Sequence, residues 1–247
     1  MKNLLLSVMF AATLVSPTEA QQSSDPRVAD LVRAGKIRVG VHSIMYTTDS
    51  RTGQLTPAST GIILLDIARI LGARIGVEVS PVGHPTIPEM LTCLTSGACD
   101  MGFMGPDRSR AGLDFTPPIL QLDYTFLVPA GSSIQSIADA DRPDVRIAVV
   151  RDHASTLTLS RLRTGRADVF ASVRPALLAY SSKLPGSRVL EDHYGANLIG
   201  MAVAKGQTAR LDYLSEFIEQ ASASGLVQQA IDRAGLPGHR AAPVKTN

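Results

Sequence analysis

The sequence predicts an α/β fold made of two lobes. Three observations predict it. Between residues 36 and 105, short apolar runs alternate with segments of helical spacing in the order β-α-β-α-β, the pattern of a parallel sheet with helices on both faces. The pattern then restarts near residue 145. Finally, a phrase recurs: residues 94–103 read LTSGACDMGF and residues 162–171 read LRTGRADVFA, both L-x-[ST]-G-x-[AC]-D followed by apolar residues. Each copy reads as a helix-to-strand joint. Glycine takes the left-handed position past a helix end at little steric cost, and the apolar run after it reads as a buried strand.

The elements follow in order. Asp25 and Pro26 open a short helix as N-cap and first helical residue, and Gly35 stops it. KIRVGVH (36–42) is the first strand, followed by a polar loop with turn signals at Asp49-Ser50 and Thr52-Gly53. Residues 60–72 have helical spacing and end at Gly72; RIGVEVS (74–80) is a strand. A helix over 86–96 leads into the first copy of the phrase, and DMGFMG (100–105) is the third strand. YTFLVPAG (124–131) is a further strand ending at a Pro-Ala-Gly break. VRIAVV (145–150), a helix near 154–164, ADVFAS (167–172), a helix over 175–182 and a short strand near 188–191 make the second lobe. NLIGMAVAKG (197–206) and two helices, 207–222 and 224–235, complete the chain, and the tail GHRAAPVKTN reads as disordered. Residues 124–130 and 197–205 are the candidate strands crossing between the lobes.

Composition narrows the function. The 247 residues suffice for one large domain or two modest ones. With 19% charged and 45% hydrophobic residues, the chain is an ordinary globular one. A net charge of +2 without a basic stripe argues against nucleic-acid binding, and the absence of Trp argues against broad stacking platforms. Residues 1–20 read as an export signal: Lys2, an apolar stretch over 4–15 too short to span a bilayer, and a small-residue cleavage site at Thr18-Glu19-Ala20. The mature chain then starts near Gln21 in an exported compartment, with no Cys there for a lipid anchor. Cys93 and Cys99 flank the Gly97 turn. An oxidising compartment permits a disulfide between them; two reduced core thiols or a metal remain open, although no Cys/His set with ligand spacing accompanies them. No metal and no cofactor is expected.

Ligands of open α/β sheets bind beyond the carboxyl ends of the strands. Those ends carry HSIMYTTDSR, PVGHPT, GPDRSR, RDHAST and SVRP, which hold Arg108, Arg110, Arg151, His153 and Arg174. Arginine reads carboxylates bidentately, and a helix starting at Ser155 or Thr156 offers unpaired N–H groups to an anion. A small anionic ligand is expected. Catalytic signatures are absent: no G-x-S-x-G, H-E-x-x-H, P-loop or G-x-G-x-x-G. His42, His84, His153 and His193 are scattered, Asp107 and Asp152 are the best-placed carboxylates, and Asp66 reads as structural.

The ordered segments IRVGV, LLDIARILGARIGVEV, IPEMLTCLTSGACDMGFMG, DFTPPI, YTFLVPAGS, RIAVV, GRADVFASVRPAL and GMAVAKG resemble the bacterial extracellular solute-binding proteins of family 3, which serve polar amino acid ABC transporters. The resemblance covers about residues 36–236. It implies a type II periplasmic binding fold, with lobe 1 over 24–127 plus 201–247, lobe 2 over 128–200, and the two crossing strands as hinge. It also implies a monomeric periplasmic protein that closes on its solute and docks on an inner-membrane permease. The family's carboxylate-binding Arg precedes a segment matched by Asp114-Phe115-Thr116; the spacing falls on Ser109, between Arg108 and Arg110, and the Pro106-Asp107-Arg108 context favours Arg108. Second-lobe donors map to Ala154, Ser155 and Thr156, and the aromatic that packs on the ligand maps to Tyr46. The family's ammonium-binding acid maps to Val173 and Arg174, which favours a carboxylate without an amine. Roughly 20 residues, about one strand and two helical turns, are missing between RIAVV and GRADVF, so lobe 2 is expected to be short. The resemblance implies a solute-binding protein. The alternatives are an exported cyclohexadienyl dehydratase-like enzyme using His153 or Asp152, and a sensor or degenerate paralogue.

Overall fold

The recurring phrase closes the same clamp twice. In the computed structural model, which describes residues 23–149, 162 and 164–243, strand β1 (Lys36–His42) pairs parallel with β5 (Met101–Met104), Val39 opposite Met101. Strand β8 (Ile147–Val149) pairs parallel with β9 (Val169–Val173), Ile147 opposite Val169. The phrase's Asp stands just before β5 and β9. Asp100 accepts from the Arg38 backbone N–H, Nε and Nη2 at 2.8, 2.9 and 2.7 Å. Asp168 accepts from the same three groups of Arg146 at 2.8, 2.9 and 2.7 Å. The glycines of the phrase, Gly97 and Gly165, have φ of 74° and 65°, both left-handed, and Gly97 follows the end of the helix over Ile87–Thr95.

What lies between the clamped strands differs. Arg38 and Asp100 are 62 residues apart, Arg146 and Asp168 only 22. In the first half, helix α2 (Thr60–Ile75) covers β1, and β4 (Glu78–His84) pairs along its far side over seven residues. Among the described residues no strand lies beyond β8. Val39 and Val41 are fully buried, whereas Ile147 and Val149, which hold the corresponding places, are 48% and 60% exposed.

One sheet path joins the halves in the order β4-β1-β5-β11-β7-β9-β8. Strands β7 (Leu120–Val128) and β11 (Gly195–Ala204) cross between them and pair antiparallel, Tyr124 opposite Gly195 and Leu120 opposite Ile199. Beyond that stretch β11 turns to β5 and to β6 (Leu113–Phe115), while β7 turns to β9 and β10 (Arg188–Val189). The largest core lies under α2 and the helices α6 (Thr208–Ala223) and α7 (Leu226–Ala234), and includes Ile63, Leu64, Leu71, Phe217, Val227 and Ile231. Helix α3 (Ile87–Thr95) covers the opposite face, with Met90, Leu94 and the two cysteines. Short helices α1 (Ala29–Ala34) and α4 (Ile137–Ala140) and helix α5 (Arg174–Ser181) complete the set. No helix of the described residues is long and apolar enough to cross a membrane.

Four expectations are corrected. Helix α2 does not stop at Gly72 but runs to Ile75, and Gly76 with φ 81° caps it. A Cβ on Gly72 would stand 2.7 Å from Val79 Cγ2 and 2.8 Å from the Val77 carbonyl, so this glycine permits close packing rather than marking an end. The following strand is accordingly 78–84, not 74–80. The polar loop after β1 contains a hairpin, β2 (Tyr46–Thr48) with β3 (Leu55–Pro57). The tail is ordered through its first residues: β12 (Arg240–Ala241) pairs with β7. The export signal and the helix near 154–164 fall, but for Leu162 and Thr164, outside the described residues.

Cys93 and Cys99 form a disulfide with Cα atoms 5.1 Å apart, and both are buried beside Met90 and Leu94. It closes a short loop over the Gly97 turn. Restricting such a loop in the unfolded chain stabilises the fold by about 2 kcal/mol. Reduction is expected to lower the urea midpoint accordingly, and Cys93→Ser with Cys99→Ser to match the reduced protein.

Candidate functional site

The carboxyl ends of β1 and β4 carry His42 and His84, opposite one another in the ladder. His84 Nε2 lies 3.6 Å from Cys99 Sγ. His84, Cys93 and Cys99 are the one grouping of metal-type ligands within reach of each other among the described residues, but both sulfurs are bonded to each other, so neither is a thiolate.

The end of β5 is different in character. Its first loop residue, Gly105, lies against crossing strand β11: a Cβ there would be 2.6 Å from the Leu198 carbonyl oxygen and 2.9 Å from Asn197 Oδ1. Asp107 then caps a single 3-10 turn over Arg108–Arg110, accepting from Ser109 N–H at 2.8 Å and Ser109 Oγ at 2.5 Å. Those bonds hold its carboxyl below the usual range. Arg110 folds back and donates from Nη1 to the Gly105 carbonyl, while its Nε is buried without a hydrogen-bond partner among the described residues. Arg108 is exposed, and no described residue pairs with it. Two guanidinium groups thus stand at the end of a central strand, beside the crossing point of the halves.

The other expected site residues have other surroundings. Tyr46 is half-buried and lies over β4, where a Cβ on Gly83 would be 2.7 Å from its Cζ and 2.8 Å from its Oη. Burial, and then the charge of Glu89, push its phenol up. Arg174 opens α5 with only 16% of its side chain exposed. It donates to the carbonyls of Leu190 and Glu191 at 2.8 Å each and of Asp192 at 3.3 Å, and its Nε lies 3.7 Å from Asp123. Val173 is partly buried against the largest core. His153, Ser155 and Thr156, with Arg151, Asp152 and Ala154, lie outside the described residues. The structure therefore brings Arg108 and Arg110 together on one loop and engages Tyr46 and Arg174 elsewhere.

One charged centre has no sequence signal. Asp123, 4% exposed on β7, accepts from Gln121 Nε2 at 2.9 Å and pairs with Arg240 Nη2 at 2.5 Å as well as with Arg174. Burial alone would raise its pKa, but the Gln121 and Arg240 bonds and the charge of Arg240 hold it below the usual carboxylate range. It lines a cavity of about 300 Å³ with Arg174, Glu191, His193, His239 and Arg240. No motif marks an isolated Asp inside an apolar strand.

The Asp168 carboxyl of the second clamp is held down to about 2, by the Arg146 side-chain bonds first and the Arg146 N–H second. A lowered carboxylate stabilises the fold fully above its unfolded value of 3.8 and loses that contribution as pH falls through about 2. Asp168→Asn is expected to flatten the acid limb of the stability curve in this window, measured by urea melts at stepped pH.

Comparison with known proteins follows the same lines. Residues 59–235 match the family model of the bacterial extracellular solute-binding proteins, family 3. No curated protein matches the sequence. Among solved structures, an ancestral cationic amino acid solute-binding protein (AncCDT-1) superposes with a TM-score of 0.65 at 21% identity, covering 83% of this chain and 98% of that one. The solute receptor for L-cysteine of Neisseria gonorrhoeae gives 0.62 at 22% identity, covering 85% and 94%. A variant of an ancestral cyclohexadienyl dehydratase (AncCDT-3) gives 0.54 at 21%, covering 86% and 97%. At these identities the likeness carries the fold, that of the type II periplasmic binding proteins. With more than half of its length matched by the family model, the chain belongs to the bacterial extracellular solute-binding proteins, family 3.

Proposed function

We propose that this protein captures a small anionic solute between two lobes, 24–127 plus 201–247 and 128–200, and presents it to an ABC permease of the inner membrane. It acts as an exported periplasmic monomer. The observation that carries the reading is the β5 loop, where Arg108 stands exposed with no partner among the described residues and Arg110 braces the loop through the Gly105 carbonyl. An exposed guanidinium at such a place suits a carboxylate, which it can bind bidentately. The solute is a carboxylate without an amine: the family's ammonium-binding acid maps to Val173 and Arg174, and neither residue is acidic.

A thermal-shift panel on the mature chain tests this. It holds polar amino acids, dicarboxylates, aromatic and keto acids, and amine-free analogues. Binding to the folded state alone raises Tm with ligand concentration. Stabilisation by amine-free acids supports the proposal; stabilisation by amino acids alone refutes the assignment of Val173; no shift with any member refutes solute capture.

A second reading, an enzyme on the same fold, has the superposition on an ancestral cyclohexadienyl dehydratase in its favour. It places general acid-base chemistry on His153 or Asp152. Dehydration of a prephenate-like acid, lost in His153→Ala, would establish it in place of the first.

A further inference from the structure

We infer that residues 238–242 form a strap across the hinge, which ties both halves to crossing strand β7 and limits how far they open. Three successive residues of the segment touch three different parts of the molecule. Gly238 lies on the second half: with φ 81°, a Cβ there would be 3.0 Å from Leu178 Cδ1, 3.2 Å from Arg174 Cγ and 3.2 Å from Pro175 N, all on α5. His239 lies on the first half, its Nε2 2.9 Å from Thr60 Oγ1 at the start of α2. Arg240 lies on the crossing strand and pairs with buried Asp123, which also faces Arg174. Backbone pairing continues this attachment, Arg240 opposite Gln121, Ala241 opposite Leu120, and Ala242 N–H to the Ile119 carbonyl at 2.9 Å.

The chemistry suits a strap better than a loose tail. Glycine suits 238, because a side chain there would be strained at φ 81° and would press on α5 at 3.0–3.2 Å. His239 is buried to 8% exposure, and burial lowers its pKa, so the ring stays neutral against Thr60 at neutral pH. Asp123 is a buried carboxylate facing two arginines, Arg174 largely buried and Arg240 54% exposed, and removing Arg240 takes away its closest cation. A hinge that bends about β7 and β11 would have to stretch or peel this segment, since its ends are fixed to different halves.

The inference rests on the proposed lobe closure, and the test separates the two. Nitroxide labels at Arg69→Cys on exposed α2 and Lys183→Cys on the exposed end of the second half report the inter-lobe distance by double electron-electron resonance, with the native disulfide left intact. Arg240→Gln removes the ionic joint, and Gly238→Val pushes the strap off α5. Each is expected to add a distance population that the parent lacks, together with faster hydrogen exchange at Ala242. Asp66→Asn, which breaks the bridge to Arg233 within the first half, is expected to leave the distribution unchanged. Faster exchange at Ala242 with the parent distribution kept in both strap variants overturns the inference. L-glutamate and 2-oxoglutarate, added in turn to the parent, decide what falls with it. If either changes the distance while the strap variants do not, the strap alone fails. If neither additive nor any variant changes it, lobe closure fails as well.

Discussion

Asp100→Ala is expected to destabilise the protein by about 2–3 kcal/mol, the loss when charged hydrogen bonds to a buried carboxylate are removed. Asp100 is 6% exposed and accepts three bonds from Arg38. Arg210 also faces it, donating to its backbone carbonyl at 3.0 Å with Nη1 3.9 Å from its carboxylate. The Arg210 side chain is only 11% exposed, and its Nε is buried without a partner among the described residues. Alanine would leave Arg38, whose side chain is 37% exposed, without its anion and Arg210 with Asp30 alone. Asp168→Ala removes the same three bonds from Arg146, whose side chain is 57% exposed, and water replaces them there. The urea midpoint should therefore fall much further for Asp100→Ala. Equal losses from the two variants would show that burial does not set the strength of this clamp.

Arg108→Ala is expected to weaken solute binding by about 2 kcal/mol or more, roughly thirty-fold, while leaving the Tm of the free protein unchanged. The reason is the division of work within the loop: Arg108 has no described partner to lose, whereas Arg110 holds the Gly105 carbonyl. Arg110→Ala should therefore lower both binding and the free-protein Tm. Titration calorimetry with the strongest acid of the panel, beside melts of the free variants, separates the roles. Binding lost with Arg110 but kept with Arg108 would reassign the receptor.

The fold was legible because periodicity and the repeated phrase are local signals with local causes. Glycine ends helices and apolar runs fill sheets. The Asp of the phrase was visible twice, but its partner was not: Arg38 is 62 residues from Asp100, and no spacing rule links them. Gly72 misled because a glycine allowing close approach looks the same in sequence as one ending a helix. The tail misled because its order comes from contacts with residues far away in the chain, Thr60, Asp123 and Arg174, and not from propensity. The place of Arg108 and Arg110 on the loop after β5 was legible from the strand before them. Asp123 was not, since its charge matters only once the crossing strand has been covered.

The route of β11 has a consequence for how the chain folds. This strand returns to sit between β5 and β7, and the helices after it, α6 and α7, close the largest core over β1 and α2. Val39 and Val41 thus wait for Phe217 and Val227, made nearly at the end of synthesis. Contacts so distant in sequence carry a large loop-closure cost and form slowly. By contrast β8, β9 and α5 pack on β7 from within one continuous stretch. The shorter half can assemble on contacts within that stretch, whereas the larger half closes only when its final helices pack. A chain cut before α6 would leave Ile63, Leu64, Ile67 and Leu71 uncovered, a surface for chaperones to hold.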